Sequence, residues 1–217
     1  MIRMMKNTGR WAKQWSTLLF ALLLAGCAST DGPSVEDLRA VRSIKIAPSL
    51  NPMRFIFDFG DFGANTQSQD LTHALVAQDM RLGDELTQMA AQQLRSEGFE
   101  VTNSLSSAVS SDATLRLSIT ASGYARRGFI WDKIGPHLVV VATLTDRVGK
   151  KLFYRIYRYD MHTISMGPTL GLTPSDRFGF DSAEAVTSHP ELAAAGLQAA
   201  IPMITADIGR ALRKRRR

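Results

Sequence analysis

"HLVVVATLTDRVGKKLFYRIYRYD" (residues 137–160) holds two apolar runs joined by "DRVGK". The first is a nearly continuous run of Leu138, Val139, Val140, Val141 and Leu144. The second mixes aromatic residues with arginines. A short polar link containing Gly149 between two such runs predicts a β-hairpin. An isolated hairpin is marginal in water, so more strands or a covering helix must complete a core.

Working outward, "ATLRLSITAS" (113–122) alternates through Leu115, Leu117 and Ile119, which predicts a strand with one buried face. "RSIKIAPSL" (42–50) places Ile44 and Ile46 on one side and is closed by Pro48. "FEVTNS" (99–104) reads as a short strand. From 81 to 97, Leu82, Leu86, Met89, Ala90 and Leu94 recur at helical spacing. Gly98 follows as a cap, with Phe99 able to fold back on the last turn. A final helix would bury Leu192, Leu197, Ile201, Ile204, Ile208 and Leu212, with a kink at Pro202. Ser188 and Glu191 form a capping-box pattern, and Pro190 lies in the first turn. "SMGPTLGLTPSDRFGF" (165–180) reads as a Gly- and Pro-rich loop. The order of elements predicts an α+β fold: a mixed sheet of about five strands covered on one face by two helices.

The chain opens differently. Arg3, Lys6, Arg10 and Lys13 precede an apolar run from Leu18 to Leu24, with no acid among them. About 10 apolar residues are too few to span a bilayer, which takes roughly 20, but they suit an export signal. The single cysteine of the chain, Cys27, follows directly. A metal site needs several ligands, and none lies near it in sequence.

Leu24-Ala25-Gly26-Cys27 resembles the lipobox of bacterial lipoproteins. The resemblance implies cleavage between Gly26 and Cys27, acylation of the Cys27 sulfur and amino group, and a membrane anchor. Several acyl chains hold a protein stably where one is marginal, at roughly 0.8 kcal/mol per buried methylene. Ala28, where aspartate would favour the inner membrane, implies the periplasmic face of the outer membrane. The expected organisation is a signal peptide at 1–26, a lipidated tether at 27–40, one periplasmic domain at 41–213 and a basic tail at 214–217. The pattern of strands and helices over 41–213 also resembles a loose group of periplasmic lipoprotein domains. These are the auxiliary lipoproteins of ABC-type envelope transporters, the curli-secretion lipoprotein and the amino-terminal domain of the translocation protein TolB.

The charge changes meaning once the signal is set aside. The chain has 26 basic and 20 acidic residues, a net +6. Four bases leave with residues 1–26, and six of the rest are Arg210, Arg213, Lys214, Arg215, Arg216 and Arg217. That leaves 16 bases against 20 acids from Cys27 to Gly209, a net of −4. A nucleic-acid partner would need bases spread over a face, so that class is rejected.

The candidate contact residues fall in three places. "RFIFDFGDF" (54–62) sets Phe55, Phe57 and Phe59 on one side. It reads either as an edge strand packing its rings inward or as an exposed aromatic loop, within an insertion from 49 to 70. "ARRGFIWDKIGPH" (125–137) mixes Arg126 and Arg127 with Phe129 and Trp131, a composition suited to a contact surface or to a hairpin tip. Arg213 to Arg217, with Lys214, could meet anionic lipid or lipopolysaccharide phosphates, or simply suit a helix end.

Catalytic and metal patterns are missing from the sequence. His73, His137, His162 and His189 show no metal-ligand spacing and read as surface or strand-end residues. The repeated Asp-Phe-Gly in "FDFGDFGA" (57–64) lacks the glycine loop and lysine of a kinase, and no serine elbow occurs. No cofactor is implied. The leading expectation is a non-enzymatic, membrane-anchored adaptor in envelope assembly or transport, working with an envelope protein partner. The alternatives are an oligomeric secretion-channel component, or a peptidoglycan-acting enzyme with a site assembled from distant residues.

Overall fold

In the computed structural model, which describes residues 38–49, 55–58, 72–103, 110–126, 133–162 and 165–216, the expected hairpin is the middle of a seven-stranded sheet. The strands are β1 (Ser43–Ala47), β2 (Ile56–Asp58), β3 (Glu100–Asn103), β4 (Ala113–Arg126), β5 (Ile134–Asp146), β6 (Lys151–Tyr159) and β7 (Thr169–Leu172). Their order is β3-β1-β4-β5-β6-β7, with β2 also paired to β4. β4, β5 and β6 are antiparallel, while β1, β2, β3 and β7 join by parallel pairing, so the sheet is mixed and the fold is α+β. Besides a short helical stretch at 72–76, the helices among the described residues include α1 (Leu82–Ser96), α2 (Ala183–Ser188), α3 (Pro190–Gln198) and α4 (Ala200–Arg216).

One face of the sheet is buried under the helices. On β5, Leu138, Val140, Ala142 and Leu144 are inaccessible, whereas Val139, Val141 and Thr143 are half-buried on the other face. On β4 the core side starts at Ala113, Leu115 and Leu117. A register shift between Ile119 and Ala121 inserts Thr120, and Ser122 and Tyr124 then become the buried positions. A bulge of this kind re-aims every later side chain by one place. α1 contributes Leu82, Leu86, Ala90 and Leu94; α4 contributes Ile201, Ile204, Ile208 and Leu212; the two helices touch. Each such fully buried aliphatic side chain stabilises the fold by roughly 1.5–3 kcal/mol.

The end of α1 forms as its sequence predicts. Gly98 takes φ +82°, its N–H bonds the Arg95 carbonyl, and the Phe99 N–H bonds the Leu94 carbonyl. This is the Schellman arrangement, and Phe99 is buried against the core.

Several expectations need correction. The 165–180 stretch contains β7 and a 3-10 turn at Asp176–Phe178, because "TLGL" is long enough to lie parallel against β6. Ser188 does not cap the final helix: it ends α2, its hydroxyl donating to the Glu184 carbonyl, and His189 precedes α3 without a side-chain cap. The missed helix α2 is capped by Ser182, whose oxygen accepts from the Ala185 N–H at 3.2 Å. The break in the final helix falls at Ala199; Pro202 sits in the first turn of α4, where no N–H is required of it. Leu38, within the stretch expected as tether, is already buried. The stretch 190–216 is long and apolar enough by composition to cross a membrane, yet its apolar stripe packs on the sheet.

Candidate functional site

The segments singled out at 49–70 and 125–137 are far apart in sequence, and the sheet brings a described part of the first, 56–58, beside the start of the second. β2 runs parallel to the end of β4 with Phe57 opposite Tyr124 and Asp58 opposite Ala125. Arg126 follows, half-buried, and donates from Nη2 to the Asp181 carbonyl at 3.3 Å. Phe55 lies in the core at 6 % exposure, and Phe57 packs against it half-buried. These two rings therefore serve the core as an edge strand would. Phe59, Arg127, Phe129 and Trp131 lie outside the described residues, as do Gly26, Cys27 and Arg217.

The floor of this end is packed and hydrogen-bonded. The Tyr124 hydroxyl donates to the Ala193 carbonyl of α3 at 2.9 Å, and its ring meets Phe180 edge-on at 5.5 Å. Burial, with the neighbouring Tyr159, pushes the Tyr124 hydroxyl well above the usual tyrosine range. Ile134 and Phe180 exchange backbone hydrogen bonds of 2.7 and 2.8 Å, which fixes where β5 begins.

His137, expected at the surface or at a strand end, lies near the start of β5 and is buried, at 7 % exposure. Leu138 faces the helices, so His137 faces the opposite side, where its Nδ1 lies 2.9 Å from Asp160 Oδ2. Asp160 Oδ1 accepts the His162 N–H at 3.0 Å, and Arg158 lies 3.4 Å from Oδ2. Burial alone would raise the Asp160 carboxyl. The hydrogen bond from His137, the His162 N–H and the charges of His137 and Arg158 outweigh it and hold the group at about 2. An ionised carboxylate only accepts, so Nδ1 is the donor. A carboxylate orienting an imidazole is also how a catalytic base is held. Here the pair is enclosed by protein and ties β5 to the chain between β6 and β7.

A second polar cluster joins sheet to helix. Arg155 Nη1 lies 2.6 Å from Asp207 Oδ2, and the Tyr157 hydroxyl donates to the same oxygen at 3.0 Å. The sequence does hint at it, since Arg155 is in phase with Phe153 and Tyr157 on a strand. Asp207 likewise shares a helix face with Ile204.

The basic end of α4 is engaged with its own fold. Arg213 lies 3.1 Å from Glu97, Arg215 stacks over Phe153 at 5.6 Å, and Arg216 donates to the Gly98 carbonyl while covering Phe99. Lys214 is exposed. Among the described residues, no group of three or more His, Cys, Asp or Glu is placed to hold a metal.

No protein-family model matches the chain, and no curated protein matches it. Among solved structures it is similar to a single-residue variant of the PelC dodecamer from Paraburkholderia phytofirmans, at 13 % identity and TM-score 0.39, over 84 % of this chain and 95 % of that one. It is similar to a DUF330 protein from Xanthomonas campestris at 13 % identity and TM-score 0.40, over 83 % and 86 % of the two chains. It is similar to a minor lipoprotein from Acinetobacter baumannii at 12 % identity and TM-score 0.34, over 81 % and 95 %. Likeness at this level leaves the task of this chain to be read from its own residues.

Proposed function

We propose that the protein is a lipid-anchored accessory of the bacterial envelope that works by binding a protein partner and not by catalysis. The lipobox resemblance supports acylation at Cys27, and Ala28 supports the periplasmic face of the outer membrane. The observation that carries the binding reading is the register of β2 on β4. With Asp58 opposite Ala125, it sets the end of β2 beside the end of β4, and the sequences that follow these ends carry Phe59 and Phe62 in one case and Phe129 and Trp131 in the other. Long connections on a rigid scaffold are where recognition residues concentrate.

The test is a photo-crosslinking residue placed at Phe57 or at Arg126 in cells, followed by membrane fractionation. The reading expects both positions to capture the same envelope protein, and Cys27→Ser to leave the outer-membrane fraction. Capture at neither position from a correctly located protein would overturn the adaptor; an unchanged location of Cys27→Ser would overturn the anchor.

A further inference from the structure

We propose that the end of the domain where the anchored chain enters is a basic face resting on the phosphate layer of the bilayer that holds the anchor. This rests on the lipid-anchor reading above. The chain joins the core at Leu38 and Val41, both 3 % exposed. Residues 28–37 can reach at most about 35 Å when fully extended, so the entry end stays close to the membrane. Beside the entry lies the tip of the β5–β6 hairpin, and a groove of about 320 Å³ between them is lined by Ala40, Val41, Arg147, Val148 and two acids, Asp112 and Asp146.

Separate parts of the sequence bring positive charge to this end. Arg147 bonds Asp112 at 2.8 Å and the Ser111 carbonyl at 2.8 Å, while Asp112 also accepts the N–H of Arg42 at 2.9 Å. Asp112 thus holds the main chain of Arg42 and the guanidinium of Arg147, Arg42 being exposed beside them, and Lys150 and Lys151 continue the exposed tip. The Arg42 carbonyl accepts the Glu100 N–H, two residues past Gly98, where Arg216 is docked. That contact brings Arg213 and Lys214 of α4 to the same end. Asp112 and Asp146 are half-buried acids of this end, and both are engaged by neighbouring groups. Asp146 Oδ1 accepts the N–H of Val148 and of Lys150 at 3.0 and 2.8 Å, and Glu97 is engaged by Arg213. Glu100 is the exposed acid of the group.

At the tip, Val148 is 88 % exposed with Arg147 before it and Lys150 after it. An apolar residue standing between cations suits a lipid surface, where the aliphatic group enters the headgroup layer and the bases meet phosphates. β4 spans the molecule from this end to the β2 end, about 40 Å at 3.3 Å per residue. The basic face down therefore leaves the candidate contact surface pointing away from the bilayer.

The test uses the full-length lipidated protein with Val148→Cys carrying a polarity-sensitive fluorophore, reconstituted on vesicles containing phosphatidylglycerol or on phosphatidylcholine alone. Asp181→Cys, exposed at the β2 end, carries the same label as a control. The mass of the Cys27 peptide reports acylation in the same sample. The expected result is a blue shift at position 148 on phosphatidylglycerol vesicles, weakened by salt, lost in Lys150→Glu/Lys151→Glu, and missing at position 181. An acylated, vesicle-bound protein with no shift at 148, with an equal shift at 181, or with the same shift on both lipids overturns the basic face and leaves the anchor standing. A Cys27 peptide without acyl chains overturns the anchor and the orientation with it.

Discussion

Arg155 on β6 and Asp207 on α4 meet at 2.6 Å across the boundary between sheet and helices, with the Tyr157 hydroxyl on the same carboxylate oxygen. Burial disfavours the charged guanidinium, yet the hydrogen bond to Asp207, backed by the negative charge of that carboxylate, holds Arg155 above its ordinary pKa. Asp207→Ala leaves a half-buried cation and a mostly buried hydroxyl without their acceptor. The expected loss is about 2–3 kcal/mol in urea unfolding. Asp207→Asn keeps an acceptor and should lose about half as much. Arg155→Met/Asp207→Leu removes both charges together and should return to within about 1 kcal/mol of the parent. An unchanged midpoint for Asp207→Ala would show the pair to be solvated and idle.

Asp160 sets part of the acid limb. Its carboxyl titrates at about 2 in the fold against an ordinary 3.8, so the folded state binds the proton more weakly than the unfolded chain does. The stability this contributes is present above pH 3.8 and is lost as pH falls towards 2. Asp160→Asn should therefore cost on the order of 2 kcal/mol at neutral pH, with the gap to the parent closing between about pH 4 and 2. Asp112 is also lowered, chiefly by the N–H groups of Ser43 and Arg42, so the variant keeps some acid sensitivity of its own. A gap that stays constant over that range would mean the His137 contact contributes no linkage.

The long strands were legible because one-sided burial writes a period of two into the sequence, as Ile44 and Ile46 or Leu115 and Leu117 do. The same logic explains where legibility ended. After Thr120 the bulge changes the phase, so the alternation in 113–122 stops short although β4 runs on to Arg126. β2, three residues long, is open to two readings because Phe55 and Phe57 suit an edge strand or an exposed aromatic loop, and β7, four residues long, is hidden among Gly167, Pro168 and Gly171. The His137–Asp160 pair becomes visible only once the register is known. With Leu138 opposite Tyr159, the next residues outward on each strand must meet. The meeting of β2 with β4 likewise depends on parallel pairing between distant segments, which no local pattern records.

Gly98 turns α1 into β3 at φ +82°, a conformation that costs a residue with a Cβ roughly 1 kcal/mol. A Cβ there would lie 4.0 Å from the Arg216 guanidinium, an ordinary contact, so the cost is backbone strain alone. Gly98→Ala should lower stability by about 1 kcal/mol, and Gly98→Asn, which tolerates this region better, by less. Equal losses in the two variants would point to displacement of Arg216 instead.

Tyr124 and Gly196 test the packing beneath the candidate contact surface. In a helix, Gly→Ala ordinarily stabilises by about 1 kcal/mol. At position 196 of α3, however, a Cβ would run into the Tyr124 hydroxyl and come within 3.2 Å of Phe178 Cβ. That hydroxyl cannot retreat without giving up the Ala193 carbonyl, the acceptor of its hydrogen bond. Gly196→Ala should therefore destabilise by about 1–3 kcal/mol, reversing the usual sign. Tyr124→Phe removes the obstructing oxygen and should cost about 1 kcal/mol for the lost bond. In the double variant the two losses should sum to less than their separate values, a favourable coupling of about 1 kcal/mol or more. Strict additivity would place the obstruction at Phe178 and release Tyr124 from any part in setting the distance between α3 and the sheet.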